Sequence, residues 1–143
     1  VYLRVISNKC KYAIRALLYI ARQSEEDRAV MTSEIAEAQK IPRKFLEGIL
    51  RDLRNNRILD SKRGKDGGFR LLRKPEEVSM TEIMRIMDGP IAMLPCVSLN
   101  YYRSCEECEE HCCQVKGLFE QVRDRTLEVL NNANLKTLGE QAL

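Results

Sequence analysis

Five of the six cysteines and the single histidine fall between Cys96 and Cys113, beside Glu106, Glu107, Glu109 and Glu110. A folded core has no need of soft donors concentrated next to glutamates, so the pattern implies a bound group. Cys105 and Cys108 are separated by two residues and Cys112 adjoins Cys113, while Cys96 stands well ahead of them. A loop with this spacing can gather its sulfurs around one centre. Thiolates are soft ligands, which points to an iron-sulfur cluster or zinc. The competing reading is a disulfide framework. No secretory-type segment is apparent, and thiols in a reducing compartment stay reduced, which favours metal.

The elements that position this stretch must come from a chain of 143 residues, 44% of them hydrophobic. That suffices for one compact core with a protruding element that needs a partner. No apolar run approaches the roughly 18 residues of a membrane span, so we expect no membrane association and an intracellular, cytoplasmic protein. The net charge of +3 conceals a division: residues 1–75 carry 18 Lys/Arg against 9 Asp/Glu, and residues 76–143 carry 6 against 12. A basic front half implies a polyanionic partner.

Apolar periodicity predicts a helix from Asn8 to Gln23, broken by Ser24-Glu25-Glu26-Asp27. Thr32 is placed to cap a second helix from Ser33 to about Gln39, with Glu34 in its first turn. After the Lys40-Ile41-Pro42 turn, a third helix runs from Arg43 to about Asn55. Leu46, Ile49, Leu50 and Leu53 form its inward stripe, which leaves Arg43, Lys44, Glu47, Gly48, Arg51 and Arg54 outside. This is the helix-turn-helix pattern. Ile58-Leu59 and Phe69-Arg70-Leu71-Leu72 read as strands around the basic loop Lys62-Arg63-Gly64-Lys65-Asp66-Gly67-Gly68, with Asp66-Gly67 as the turn signal. Such a hairpin is a wing suited to phosphates or the minor groove.

A further helix starts near Ser79 and ends at Asp88-Gly89-Pro90, with Ile83, Ile86 and Met87 inward. Gln114 to about Asn131 is predicted as a long helix with Val115, Leu118, Phe119, Val122, Thr126, Val129 and Leu130 on a broad apolar face. Pairing with the same helix of a second subunit would bury that face; folding back onto its own domain is the alternative. The expected fold is therefore mainly α with a small β-hairpin wing. Its parts are a winged helix-turn-helix domain (1–90), a cysteine-rich segment (91–113), and a dimerisation helix with a C-terminal tail (114–143).

Lys11-Tyr12-Ala13, Ile35-Ala36, Ile41-Pro42, Phe45-Leu46-Glu47, Leu53-Arg54-Asn55, the Arg63-Gly64-Lys65-Asp66-Gly67-Gly68-Phe69 wing and the later cysteines resemble the IscR/NsrR/RirA/CymR-type, or Rrf-two, bacterial regulators. The likeness spans essentially the whole chain. It implies a homodimeric winged-helix transcription factor on a pseudo-palindromic duplex, and its sensing members hold an iron-sulfur cluster. By this resemblance Arg43, Lys44 and Glu47 fall at base-reading positions and Arg63 at the wing arginine. Arg51, Arg54, Lys62 and Lys65 suit phosphates.

The resemblance matches Cys96, Cys105 and Cys113 to the family's three cysteines. Lys116 stands where the IscR branch has its histidine ligand, and Lys11 where NsrR-type proteins have a carboxylate. The fourth ligand is therefore open: Cys108 is preferred for its two-residue gap from Cys105, followed by Cys112, His111 and, from another subunit, Cys10. The expected cofactor is a [2Fe-2S] cluster, with a [4Fe-4S] cluster or zinc as alternatives. The expected function is cluster-dependent regulation sensing iron-sulfur, redox or nitric oxide status. A zinc-stabilised or thiol-switch repressor is the rival. With one histidine, no Ser-His-Asp set and no P-loop spacing, neither an enzyme nor a small-molecule substrate is expected.

Overall fold

The computed structural model describes residues 6–24, 26, 28–107 and 113–141. Helix α1 (Asn8–Ser24) starts where the Ser7 hydroxyl accepts the Cys10 N–H at 3.0 Å. It buries Cys10, Ala13, Ala16, Leu17 and Ile20. Small residues at Ala13 and Ala16 let neighbouring helices approach closely, so α1 serves as the central post: it packs against α2, α3, α4, α6 and the second strand.

Helix α2 (Thr32–Gln39) begins one residue earlier than expected. Met31 occupies its cap position without a side-chain bond, and Thr32 is already helical. The reason lies upstream. Val30 exchanges two backbone hydrogen bonds of 2.8 Å with Phe69, so the chain leaves a β-bridge and turns directly into the helix. Lys40 ends α2 at φ 52°, its N–H shared between the Ala36 and Glu37 carbonyls. That left-handed residue reverses the chain in the little space before Pro42 opens α3 (Arg43–Asn55). Leu46, Ile49, Leu50 and Leu53 are buried as expected.

Strands β1 (Leu59–Lys62) and β2 (Gly68–Leu71) pair antiparallel, Leu59 opposite Leu71 and Lys62 opposite Gly68. Pairing extends further toward the loop than apolar character indicated, because the backbone ladder does not require apolar side chains at Asp60–Lys62. Gly67 donates to the Gly64 carbonyl at 3.0 Å, so Lys65 and Asp66 are the central turn residues, not Asp66 and Gly67. Gly68 has φ +140°, and a Cβ there would lie 2.4 Å from the Val30 backbone. The glycine lets the wing close against the 28–31 segment.

Helix α4 (Met80–Asp88) is capped by Ser79, whose hydroxyl accepts the Glu82 N–H. Helix α5 (Lys116–Asn132) starts two residues later than expected, and its one fully inward residue is Leu127, which the expected stripe omits. Its end returns to the start of α4 through Met80 N–H to the Ala133 carbonyl, 2.9 Å, and Thr81 to Asn131, 2.6 Å. Helix α6 (Leu135–Gln141), unread in the sequence, then buries Leu135 and packs on α1. Its few residues carry too little periodicity to announce a helix, and the α1 surface supplies what its length does not. Among the described residues, no helix is long and apolar enough to cross a membrane.

Candidate nucleic-acid interface and cysteine segment

At about 100° per residue, Arg43, Lys44, Glu47, Arg51 and Arg54 share one arc of α3, and all five are exposed. The leucine-isoleucine stripe anchors the other side of the helix, so these side chains project from a rigid support. Arg43 Nε meets Glu47 Oε1 at 3.4 Å, an i,i+4 pair within the arc. On the wing, Lys62, Arg63 and Lys65 are likewise exposed. Strand β1 packs against α3, so helix and wing form one packed unit.

That unit is braced from behind. Lys9 of α1 pairs with Asp52 of α3 at 2.7 Å, and the Arg15 guanidinium donates to the Gln39 carbonyl. Tyr12 meets Phe45 edge to face at 5.7 Å. Arg28 donates to both Glu34 oxygens, at 2.7 and 3.0 Å, and the Tyr19 hydroxyl donates to the same carboxylate at 2.8 Å. The Arg28 hydrogen bonds, joined by that from Tyr19, hold the Glu34 carboxyl below its usual range. Arg57, exposed at φ 59° between α3 and β1, and Arg70, paired with Asp60 at 3.2 Å, add cations beside the wing that the sequence reading did not single out. Arg57 falls in a turn, where no periodicity marks a face.

Cys96, Cys105 and Cys113 lie between α4 and α5. Cys96 sits on a single 3-10 turn, Pro95–Val97, whose Val97 is buried. Cys96, Cys105 and Cys113 are each half-buried. Cys108, Cys112 and His111 lie outside the described residues. Among the described residues no three Cys, His, Asp or Glu side chains come together as a metal-binding group. Cys10 is placed unfavourably for a ligand: it is fully buried in the core, and burial, with the Asp88 carboxylate, pushes its thiol up to about 11. Lys11 is exposed on α1, and Lys116 opens α5. The remaining donors, half-buried thiols on a loop, have the chemistry that a soft metal or cluster requires.

Beside this segment, an apolar groove of about 610 Å³ lies among the start of α1, the end of α4, residues 89–93 and α5. Met84, Met87, Ile91, Met93 and Val122 line it, with Asp88 and Arg123 at polar positions.

A helix-turn-helix followed by a cationic wing defines a winged-helix DNA-binding protein. Residues 6–141 match the family model Rrf2, described as iron-dependent transcriptional regulator. An Rrf2-like HTH-type transcriptional regulator of Rhodobacter capsulatus is 39% identical over 137 residues, 94% of this chain and 91% of that protein. The HTH-type transcriptional regulator IscR of Escherichia coli O1:K1 / APEC is 29% identical, covering 94% of this chain and 78% of its own length. Among solved structures, CymR, the global cysteine regulator of B. subtilis, superposes with a TM-score of 0.81 at 25% identity, over 99% of this chain and all of its own. The chain belongs to the Rrf2 family: it is a transcriptional regulator, not an enzyme.

Proposed function

We propose that this regulator is a homodimer that grips a pseudo-palindromic duplex through α3 and the wing, with a cysteine-held iron-sulfur cluster setting its DNA affinity. The observation that carries the DNA-binding part is the exposed arc Arg43, Lys44, Glu47, Arg51 and Arg54 on a helix braced by β1 and α1. Arg43 and Lys44, with Glu47, read base edges. Arg51, Arg54, Lys62 and Lys65 neutralise phosphates, and Arg63 reaches the duplex as the wing arginine. Two recognition helices related by a two-fold axis would enter successive major grooves, roughly 34–36 Å apart.

The cluster, when bound, supplies a redox- and occupancy-sensitive link among its ligands. Cys96, Cys105 and Cys113 would hold it, with Cys108 preferred as the fourth donor. Cys112 and His111 follow. The chain's own part is to carry those donors on the connection between α4, which packs on the DNA-binding body, and α5, which carries the exposed apolar face. A change in the order of that connection then biases the spacing of the two recognition helices. We take the cofactor to be a [2Fe-2S] cluster, with a [4Fe-4S] cluster or zinc as the alternatives.

Anaerobic isolation, with visible spectra and iron, sulfide and zinc determination, tests the cofactor. Selection of bound duplexes from a random pool, with and without air, tests the coupling. Coloured protein whose selected sites weaken or change on oxidation is the expected outcome. Colourless protein with stoichiometric zinc would replace the cluster by a structural metal. A defined disulfide formed under oxidant would indicate a thiol switch.

A further inference from the structure

Arg123 of α5 is a charged residue held almost out of water, with only 13% of its side chain exposed. Its Nη1 donates to the Val97 carbonyl at 2.8 Å, and its Nε and Nη2 reach Asp124 Oδ1 at 2.8 and 2.7 Å. Val97 is the residue after Cys96 and closes the same 3-10 turn. The turn is tied at several further points. Val97 N–H donates to the Leu94 carbonyl at 3.1 Å, Arg103 N–H returns to the Pro95 carbonyl at 3.2 Å, and the Ser98 hydroxyl accepts the Tyr101 N–H at 3.1 Å. Val97 and Ser98 are buried, whereas residues 99–104 that follow are exposed. One cysteine of the proposed set therefore stands on an anchored turn.

Burying a guanidinium is costly unless its charge and donors are met. Asp124 offsets the charge, and a further N–H is spent on the main-chain carbonyl of the residue after Cys96. A planar guanidinium can engage both partners at once, which an ammonium on a flexible stem does less well.

We propose that Arg123 is a positioning residue for the cysteine site. It holds the Cys96 turn against α5, so that Cys96 is the pre-placed donor toward which the other cysteines assemble. Whatever happens at Cys96 is thereby passed to the helix with the exposed apolar face. The inference rests on the cysteine-site reading above, but its geometry exists in the metal-free chain.

The test uses full-length, reduced, metal-free protein and follows iodoacetamide labelling of each cysteine by peptide mass spectrometry. Arg123→Met is expected to speed Cys96 labelling about tenfold, the loss of one charge-assisted hydrogen bond, while buried Cys10 stays protected. Arg123→Lys, which keeps the charge but replaces the planar fork with an ammonium, is expected to restore only part of the protection. Unchanged Cys96 labelling in Arg123→Met overturns the proposal. If that variant also exposes Cys10, amide hydrogen exchange of the wild-type chain decides: Val97 and Ser98 exchanging as fast as residues 99–104 overturns it, and slower exchange upholds it. After reconstitution with iron and sulfide, Arg123→Met is expected to shift the visible bands of the wild type; identical bands count against the proposal. Absence of any bands in the wild type would sink the cluster reading alone and leave the labelling result standing.

Discussion

The front of the molecule and the long helix near its end were built to different specifications. In α3 every residue of the apolar stripe is buried, and α1, whose Leu17 and Ile20 belong to the same core, packs on it. In α5 only Leu127 is buried, while Leu118, Val122 and Val129, with Val115 just ahead of the helix, are 36–68% exposed. Met93, Leu99, Tyr101 and Tyr102 extend this apolar character into the cysteine segment. The first region satisfies itself. The second leaves several large apolar side chains in water, as the dimer contact proposed above requires. The two differ in charge along the sequence as well: residues 1–75 carry 18 Lys/Arg against 9 Asp/Glu, and residues 76–143 carry 6 against 12.

The sharpest way to break this contrast is to damage each region separately. Leu50→Ala, in the closed core, is expected to cost about 2–5 kcal/mol and to lower the thermal midpoint markedly by circular dichroism. Leu118→Glu with Val122→Glu is expected to leave the helical spectrum intact and shift the mass by light scattering from dimer to monomer. If the double variant unfolds like the core variant, α5 belongs to its own domain's core and the contrast disappears.

A smaller effect tests the wing. Gly68→Ala must move the Val30 backbone or abandon its positive φ, at a cost of about 1–3 kcal/mol, and is expected to weaken DNA binding beyond its effect on melting. Gly64→Ala, at φ 109° with open space around its Cβ, should carry only the conformational part. Smaller still is the loss of a phosphate contact. Lys62→Ala should weaken binding across all duplexes and flatten the salt dependence by about one unit of slope, whereas Arg43→Ala should relax discrimination at particular base pairs.

The smallest expected effects lie in pH. The Cys10 thiol binds its proton more tightly folded than unfolded, so its contribution is complete below its ordinary value of 9.0 and is lost as pH rises toward about 11. Cys10→Ala should flatten that alkaline decline in a denaturant titration. Glu34 works in the opposite sense: its lowered carboxyl contributes above the usual carboxylate range and loses that contribution as pH falls through its folded value. Exposure of the Arg28 pair screens the effect, so Glu34→Gln should change the acid limb only slightly.

Much of this design was legible in order of residues. The inward stripe of α3, the cationic face beside it, the hairpin wing and the grouping of cysteines are local patterns, set by helical or strand period and by composition. The bridge from Val30 to Phe69, the placement of α6 on α1, the turn centred on Lys65 and Asp66, and the inward turn of Leu127 were not legible. Each depends on a neighbour distant in the chain. The same holds for Arg123, whose isolated place on a polar stretch of helix gives no sign of its bond to Val97. Cys10 shows the converse: its residue type made it a candidate donor, and the fold buries it wholly in the core.

The order of residues by itself determined that a basic helix-turn-helix precedes a glycine-bearing wing and a soft-donor loop, because periodicity, turn chemistry and ligand softness are properties of short segments. Tertiary structure alone decided which apolar faces close on one another and which stay open, and which thiol is sealed in the core. Those outcomes depend on the burial that the entire fold allows each segment, and no segment carries that information alone.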